Sequence, residues 1–345
     1  MKIAIVNDVI LVSEALRRVI ANTPEHQVVW VARSGEQAVQ FCAESRPDLI
    51  LMDLIMPGMD GVEATRRIME QSPCAILIVT ASPEENTNMV FRALGAGALD
   101  VTATPVMSGR AASDAALFAK IRTIGKLISA AAVGHGNGER SPREFSAVSA
   151  QPEVEMLVAI GASTGGPLAL AKILGEWKPP ENTTAVIVQH IDQAFTDSFS
   201  QWLSSQIDFP IEVIEDGGPL LPGRIMVAKT NDHVVLGHTH RLRYSEKPAR
   251  YPYRPSIDVF FHCVAQHWKK KAVGVLLTGM GRDGANGLLA MKKAGKLTIA
   301  QDQASSAVYG MPRAAAEIGA AELILSLDRI GGALRSRTGR KAGNS

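Results

Sequence analysis

The sequence predicts an α/β protein of two domains, each a doubly wound parallel sheet with helices on both faces. Three observations predict this fold class. Short apolar runs alternate with helical patterns from residue 2 to residue 106, the alternation returns after residue 154, and a stretch without periodicity separates the two series. The length of 345 residues agrees, because a domain commonly contains about 100 to 200 residues.

Five short apolar runs in the first half predict β-strands. They cover residues 3–6, 28–31, 49–52, 75–79 and 99–102. Apolar residues at helical spacing over residues 113–132 predict a closing helix, and Ser113 is its expected N-cap because a hydroxyl can accept an N–H of the first turn. The first domain is therefore expected to span residues 1–132.

Residues 133–153 predict an interdomain linker. They contain Gly-His-Gly-Asn-Gly, Ser-Pro and Gln-Pro and have no hydrophobic periodicity, which is typical of a linker. The second domain is then expected to span residues 154–345. Its strand-like runs cover residues 157–160, 185–189, 224–227, 273–277 and 297–300, with an inserted hairpin over residues 234–244.

Composition excludes several classes of protein. The 36 Lys and Arg against 34 Asp and Glu leave a net charge of +2, which argues against a nucleic-acid partner. The uncharged run over residues 156–171 is too short and too rich in glycine to insert in a membrane, and Asp8 interrupts any secretory signal. We therefore expect a cytoplasmic protein. Its three cysteines form neither a disulfide framework nor a zinc motif.

Two acidic residues in the first domain follow strands that we expect to be neighbours. Asp8 follows the first strand and Asp53 the third, and in a sheet of order 2-1-3-4-5 the carboxyl ends of those strands meet at the switch point where ligands bind. Two carboxylates in one crevice suit Mg²⁺, beside which an Asp can accept a phosphoryl group. The alternative is that each Asp caps a helix or lies in a solvated loop.

The residues around these acids resemble the receiver domain of response regulators over about residues 1–130. The resemblance rests on Asn7-Asp8, on Asp53-Leu-Ile-Met-Pro-Gly-Met-Asp-Gly61, on Thr80 and on Thr104-Pro105. It implies a flavodoxin-like fold. It also implies a phosphoacceptor at Asp53, Mg²⁺ ligands at Asp8, Asp53 and the Ile55 carbonyl, and phosphoryl contacts from Thr80 and Thr104.

Three positions depart from the receiver pattern. Asn7 replaces a second acid, Val101 an aromatic residue, and Thr104 the usual lysine. Because a threonine hydroxyl is neutral and its stem is short, it cannot supply the charge-assisted contact of an ammonium group. We expect Asp53 to be phosphorylated with an altered read-out.

A serine in the second domain lies between a strand and a helix. The segment Gly161-Ala-Ser163-Thr-Gly-Gly-Pro167 permits a tight turn, and the free N–H groups of the following helix can hold an oxyanion. Gly-x-Ser-x-Gly is also the nucleophile-elbow pattern. A phosphate cradle is the alternative, but the glycine spacing does not match a dinucleotide site and no P-loop lysine follows.

Two further residues complete a candidate triad. His190 ends the next strand only 27 residues after Ser163, which is about one strand-helix-strand crossover, and Asp283 follows a later strand. The backbone N–H groups of Thr164 and Met280 are candidates for an oxyanion hole. Taken singly, His190 could be a satisfied polar residue and Asp283 a helix N-cap. The order Ser, His, Asp argues against an ordinary α/β-hydrolase.

Residues 154 to about 330 resemble the catalytic domain of the chemotaxis protein-glutamate methylesterases, the CheB family. The motifs are Gly-Ala-Ser163-Thr-Gly-Gly, Val-Gln-His190, Arg254-Pro-Ser-Ile-Asp258 and Leu-Leu-Thr-Gly-Met280-Gly-Arg-Asp283-Gly-Ala. The resemblance implies a Rossmann-like domain in which Ser163, His190 and Asp283 are catalytic. Residues 228–231 depart from the family's usual Pro-Gly turn. Asn7-Asp8 and Thr104-Pro105 resemble the branch serving the Wsp surface-sensing pathway.

The resemblance implies a phosphorylation-regulated enzyme of chemosensory adaptation. Its substrates would be glutamate methyl esters on the cytoplasmic helices of methyl-accepting chemoreceptors, with deamidation of glutamines as a second reaction. A sensor histidine kinase would be the phosphodonor, Mg²⁺ would serve the receiver, and ester hydrolysis would need no cofactor. Two alternatives remain: a receiver-containing signalling scaffold with a degenerate esterase domain, and a general esterase or peptidase.

Overall fold

A computed structural model describes residues 1–83, 85–105, 111–130, 154–249, 251 and 253–339. The chain divides into two compact units, Met1–Ala131 and Ala132–Ser345. The predicted linker over residues 133–153 lies outside the described residues, so its bounds stay a prediction. Of the helices described, none has the length and apolar character needed to cross a bilayer.

The first unit is a five-stranded parallel sheet in the order β2-β1-β3-β4-β5, as the sequence predicts. Strands and helices alternate along the chain. Their bounds are β1 Lys2–Val6, α1 Ile10–Ala21, β2 Gln27–Ala32, α2 Gly35–Glu44, β3 Leu49–Met52, α3 Gly61–Gln71, β4 Ala75–Thr80, α4 Thr87–Ala96, β5 Asp100–Ala103 and α5 Ala111–Ala130.

Burial explains why the strands of this unit are continuous apolar runs. Every residue of β3 and β4 is buried, as expected where helices cover both faces of a parallel sheet. The Asp60 carboxylate caps α3 by accepting the Glu63 N–H at 2.8 Å. The predicted N-cap at Ser113 is wrong, because α5 already begins at Ala111 and an N-cap residue must precede the helix.

The second unit is a seven-stranded sheet in the order β14-β13-β12-β6-β7-β9-β8, with the predicted hairpin β10-β11 beside it. All pairs in the larger sheet are parallel. The strands of the second unit, hairpin included, are β6 Met156–Ala162, β7 Thr183–Gln189, β8 Ile211–Val213, β9 Arg224–Val227, β10 His233–Leu236, β11 Leu242–Ser245, β12 Lys271–Leu276, β13 Leu297–Gln301 and β14 Leu323–Leu325.

Helices cover this sheet and complete the predicted α/β class. Their bounds are α6 Gly166–Glu176, α7 Thr196–Ile207 with a 3₁₀ turn Gln193–Phe195 before it, α8 Ile257–His267, α9 Ala285–Lys293, α10 Met311–Glu317 and α11 Leu327–Thr338. The start of α8 packs closely on β6. A Cβ added at Gly161 would lie 2.3 Å from Ile257 Cγ2, so only glycine permits this approach.

The buried sheet core of the first unit gives a stability prediction. Ile5 in β1 is fully buried, whereas Ile10 at the start of α1 is 61% exposed. Ile5→Ala is expected to lower the free energy of unfolding of this unit by about 2–5 kcal/mol, because it removes buried methylenes and leaves a cavity. Ile10→Ala should change it by less than about 0.5 kcal/mol. Denaturant unfolding checks both values, and equal effects would contradict this packing.

Candidate functional site

Ser163 lies in a tight turn between β6 and α6. Its N–H donates to the Thr278 carbonyl at 3.1 Å, and its own carbonyl accepts the Gly166 N–H at 2.7 Å. The turn requires a left-handed residue, which Gly165 supplies at φ 79°. A Cβ added at Gly279 would lie 2.7 Å from Ser163 Cβ, so the loop after β12 passes directly beside the serine.

Parallel register places His190 next to Ser163. Strands β6 and β7 pair up to Ala162 and Gln189, and these two residues immediately precede the serine and the histidine. The His190 N–H donates to the Ala162 carbonyl at 3.0 Å. A second bond joins the two strand ends, because Gln189 Nε2 donates to the Ser163 carbonyl at 2.9 Å. Since paired strands lie about 4.8 Å apart, the two side chains leave the same edge as neighbours.

Asp283 binds the ring of His190 and thereby determines its tautomer. Nε2 of His190 lies 2.8 Å from Asp283 Oδ2, and the two side chains are only 7% and 6% exposed. An ionised carboxylate only accepts hydrogen bonds, so Nε2 carries the proton. Nδ1 is buried without a hydrogen-bond partner in the described part of the chain. Nδ1 is therefore the ring nitrogen that can accept the Ser163 proton.

The Asp283 carboxylate lies at the amino terminus of α8. Its Oδ1 accepts the Ser256 hydroxyl at 2.8 Å and the Asp258 N–H at 3.1 Å, and its Oδ2 accepts the Ile257 N–H at 2.7 Å. Burial by itself would raise the pKa of Asp283. The hydrogen bond and charge of His190, followed by the bonds from Ser256 and Ile257, instead hold that pKa below its usual range.

Asp283 is therefore not the N-cap of α9, which was the alternative role considered for it. Helix α9 directly follows it, but the N-cap position is Gly284 and no side chain caps there. The carboxylate turns instead to the neighbouring helix α8, whose own N-cap is Ser256. The structure therefore brings His190 and Asp283 together. Ser163 Oγ makes no hydrogen bond to His190 among the described residues, a common feature of unliganded catalytic sites.

Two residues of this site were not found from the sequence. The Tyr253 ring stacks on His190, with centroids 4.1 Å apart and an interplanar angle of 11°. His233 is fully buried, and its Nδ1 accepts the Ser256 N–H at 3.1 Å while Nε2 donates to the Pro248 carbonyl. Because Nδ1 accepts a hydrogen bond, this ring is neutral, and burial lowers the pKa of His233 in the same direction. His233 thereby holds the Ser256 backbone in place. Tyr253 and His233 are distant in sequence from His190. The only sequence signal near them is the motif over residues 254–258.

The two predicted oxyanion donors lie in adjacent turns. Thr164 follows Ser163, Met280 follows the close-packed Gly279, and the Thr278 hydroxyl joins the turns by donating to the Thr164 carbonyl at 2.9 Å. Within the described residues, neither the Thr164 nor the Met280 N–H donates to a protein acceptor. Both groups are therefore free to bind an oxyanion.

In the first unit, Asn7 is bound directly to the predicted phosphoacceptor. Its Nδ2 donates to Asp53 Oδ2 at 2.8 Å, and its Oδ1 accepts the Val9 N–H at 2.9 Å. The second bond fixes which way the amide faces, because only Oδ1 can accept the N–H. The residue that replaces a second acid is thus a hydrogen-bond donor to Asp53.

Asp53 is a partly buried carboxylate, and its surroundings shift its pKa in both directions. Burial is the largest influence and raises its pKa, and the negative charge of Asp8 raises it further. The N–H groups of Leu54 and Ile55 and the Thr80 hydroxyl act in the opposite direction. The pKa of Asp53 is raised overall. Asp8 and Asp53 are therefore close enough to repel each other, which is the condition a bound cation relieves.

The other predicted receiver residues lie at the same edge. Thr80 ends β4, and the Thr104 N–H donates to the Thr80 carbonyl at 2.9 Å. Asp8 and Asp53 are two carboxylates that repel each other, and such an oxygen pair fits Mg²⁺. The Ile55 carbonyl stays a predicted third ligand. Over the described ranges no cluster of three or more His, Cys, Asp or Glu offers another metal site.

Ser163, His190 and Asp283 on a parallel sheet define the class of an α/β serine hydrolase, joined to a unit with a receiver-type acidic edge. Family models agree with each half. One described as CheB methylesterase matches residues 158–334, and one described as response regulator receiver domain matches residues 3–111. The chain belongs to the CheB methylesterase family of hydrolases and carries a response regulator receiver domain, as the sequence motifs predict.

Relatives match the chain over nearly its whole length. Protein-glutamate methylesterase/protein-glutamine glutaminase 4 of Burkholderia thailandensis is 52% identical over 335 residues, which are 96% of this chain and 95% of that protein. The corresponding protein of the group 3 operon of Pseudomonas putida is 52% identical over 339 residues, 97% and 98% of the two chains. The Thermotoga maritima CheB methylesterase catalytic domain covers 52% of this chain and 97% of its own, at 32% identity and a TM-score of 0.49.

Stacking on Tyr253 is expected to fix the plane of the His190 ring. Tyr253→Leu removes the aromatic face and should lower kcat for ester hydrolysis by about 2- to 10-fold, as the loss of about 0.5–1.5 kcal/mol of ring interaction implies. Tyr253→Phe keeps the ring and should retain kcat. Steady-state hydrolysis by the two variants checks this. If Phe costs as much as Leu, the hydroxyl rather than the stacked ring is what matters.

The Asn7 amide is expected to weaken Mg²⁺ binding relative to an acid. Asn7→Asp adds a third carboxylate beside Asp8 and Asp53 and should tighten Mg²⁺ binding by about tenfold, or about 1.4 kcal/mol. Calorimetric titration with Mg²⁺ measures the change without a phosphodonor. Asn22→Asp adds the same charge beyond the far end of α1 and should leave the affinity unchanged. Equal affinity of Asn7→Asp and the wild type would contradict this account.

Proposed function

We propose that this chain hydrolyses glutamate methyl esters on the cytoplasmic helices of methyl-accepting chemoreceptors, under control of phosphorylation at Asp53. One observation carries the proposal: His190 donates from Nε2 to Asp283, and its Nδ1, at the strand end beside Ser163, has no hydrogen-bond partner among the described residues. The relatives named as protein-glutamate methylesterases supply the substrate class.

Acyl transfer to Ser163 is the first half of the proposed reaction. Ser163 Oγ attacks the ester carbonyl carbon while His190 Nδ1 takes its proton, and Asp283 stabilises the imidazolium that forms. The Thr164 and Met280 N–H groups bind the oxyanion of the tetrahedral intermediate. His190 then returns the proton to the methoxy oxygen as the C–O bond breaks, so methanol leaves and a glutamyl ester of Ser163 remains.

Hydrolysis of the acyl-enzyme is the second half. Water attacks the glutamyl carbonyl, His190 Nδ1 takes a proton from it, and that proton returns to Ser163 Oγ as the acyl bond breaks. The product is a free glutamate side chain. Deamidation of a glutamine follows the same steps with ammonia in place of methanol, in agreement with the glutaminase part of the relatives' names. Neither reaction requires a cofactor in this mechanism.

The receiver unit supplies regulation in this proposal. An Asp53 carboxylate oxygen attacks the phosphorus atom of a phosphohistidine on a sensor histidine kinase, and the P–N bond breaks. The kinase histidine leaves and takes up a proton, and Asp53 becomes an aspartyl phosphate. Asp8, Asp53 and the Ile55 carbonyl would hold Mg²⁺, which neutralises charge on phosphoryl oxygens when bound. The Thr80 and Thr104 hydroxyls contact the phosphoryl group. With threonine at position 104, no lysine ammonium assists, so the read-out differs from that of most receivers.

The cellular setting follows from the substrate. An enzyme acting on the cytoplasmic helices of receptors works in the cytoplasm, without membrane insertion and without a nucleic-acid partner. Asn7 and Thr104 together support the narrower assignment to the branch that serves the Wsp pathway, and this assignment stays a prediction.

Ser163→Ala is the sharpest single test of the esterase. Loss of the nucleophile should lower kcat for methanol release from a methylated receptor fragment by a factor on the order of 10⁶, because the acyl-enzyme cannot form. Phosphate incorporation at Asp53 from a small phosphodonor with Mg²⁺ should be unchanged. Methanol release at the wild-type rate would overturn the mechanism.

Asp53→Asn is the matched control in the other unit. It should take up no phosphate and should keep unstimulated methanol release. Loss of both activities in either variant would indicate misfolding, which circular dichroism reports separately. No methanol release from the wild-type chain, with phosphorylation intact, would instead favour the scaffold alternative.

A further inference from the structure

Helices α8 and α9 exchange carboxylates at their amino termini. Asp283, which precedes α9, accepts the Ile257 and Asp258 N–H groups of α8. In return Asp258, in the first turn of α8, accepts the Gly287 N–H of α9 at 2.7 Å. The triad mechanism makes no use of Asp258, although its side chain reaches the helix that begins two residues after Asp283.

The two helix starts touch without an intervening side chain. A Cβ added at Gly287 would lie 2.7 Å from both the Asp258 carbonyl oxygen and Phe261 Cβ. A Cβ added at Gly284, at φ +87°, would lie 2.7 Å from Ile257 Cγ2. Asp258 is only 5% exposed. Within this close contact the Asp258 carboxylate accepts the Gly287 N–H of α9.

Each carboxylate lies at a helix end that favours a negative charge. The first N–H groups of a helix have no partner within the helix, and their dipoles favour an anion. Each carboxylate accepts such groups from the opposite helix, and the backbone amides of Gly287, Gly284 and Asn286 act to lower the pKa of Asp258. Burial and the nearby charge of Asp283 raise the pKa of Asp258 to about 7. The donors around Asp283 therefore outweigh the cost of burying its charge, whereas those around Asp258 offset burial and the Asp283 charge only in part.

We propose that Asp258 is a positioning residue for ester hydrolysis: it fixes the start of α9 against α8, and so fixes the Asp283 carboxylate that orients His190. This inference rests on the proposed role of Asp283 in the triad. Asp258 acts indirectly, through the backbone that carries Asp283, and it is not a catalytic residue.

The test compares Asp258→Ala with Asp258→Asn in the full chain. The Ala variant should lower kcat by about 10- to 100-fold, the range for a residue that orients a reacting group, with KM unchanged because no substrate contact is lost. The Asn variant keeps an acceptor oxygen for the Gly287 N–H and should recover most of kcat. In ¹H NMR, the low-field resonance of the His190 Nε2 proton should be lost with Ala and kept with Asn.

Thr338→Val is the matched stability control. It removes the buried hydrogen bond that the Trp177 indole donates to the Thr338 hydroxyl at 2.9 Å, elsewhere in the same unit. Its kcat and its His190 resonance should equal those of the wild type at a temperature where all variants are folded. If Asp258→Ala does not fold, Asp258→Ser replaces it, and its kcat must fall below that of Asp258→Asn.

Three outcomes overturn the inference and are distinguishable. Wild-type kcat and an unchanged resonance in Asp258→Ala, with Asp283→Ala inactive, would remove the role of Asp258 and keep the triad. Wild-type activity of Asp283→Ala would overturn the proposed triad and this inference together. A loss of kcat in Thr338→Val equal to that in Asp258→Ala would show that lost stability alone explains the effect.

Discussion

The catalytic unit depends on one buried carboxylate at the start of α8. Asp283 accepts four hydrogen bonds, from the His190 ring, the Ser256 hydroxyl and two backbone N–H groups. Burying a charge is costly unless it is fully paired, and here every partner is a donor fixed by the fold. Because the carboxylate stays ionised, it directs the Nε2 proton of His190 and leaves Nδ1 as the nitrogen that serves as base in the proposed mechanism. The same carboxylate therefore determines both the orientation of the His190 ring and the contact with the start of α8.

Both units place their chemistry by the same property of parallel sheets. Ser163 and His190 leave neighbouring strands one residue beyond paired positions, and Asp8 and Asp53 follow neighbouring strands in the other unit. Strand register therefore brings residues that are distant in sequence to one edge. The remaining precision comes from loops and helix starts, where Gly279 lets the chain pass beside Ser163 and Asp283 reaches across to α8.

The sequence predicted the parts of this structure that local patterns determine. Apolar runs located the central strands, and the hairpin predicted over residues 234–244 is β10-β11. The edge strands β8 and β14 were missed because each is three residues long and only partly buried. Ser113 failed as an N-cap because a suitable residue type does not by itself determine where a helix begins.

Motifs predicted the triad, whereas Tyr253 and the contacts of Asp258 were not predicted from the sequence. Tyr253 and Asp258 act through packing between elements that are far apart in sequence, and no periodicity or spacing encodes a stacked ring or a carboxylate exchange. Asp258 was visible within the motif 254–258, but its partner amides on α9 were not. The direction of the Asn7 amide likewise depends on a local turn that spacing alone does not define.

The tautomer of His190 tests the central claim most directly. ¹⁵N NMR of the ring in the resting enzyme, at a pH where the imidazole is neutral, should show the proton on Nε2 and an unprotonated Nδ1. Asp283→Ala should release this preference. A proton on Nδ1 in the wild-type enzyme would contradict the account, because the nitrogen assigned as the base would then have no lone pair for the Ser163 proton.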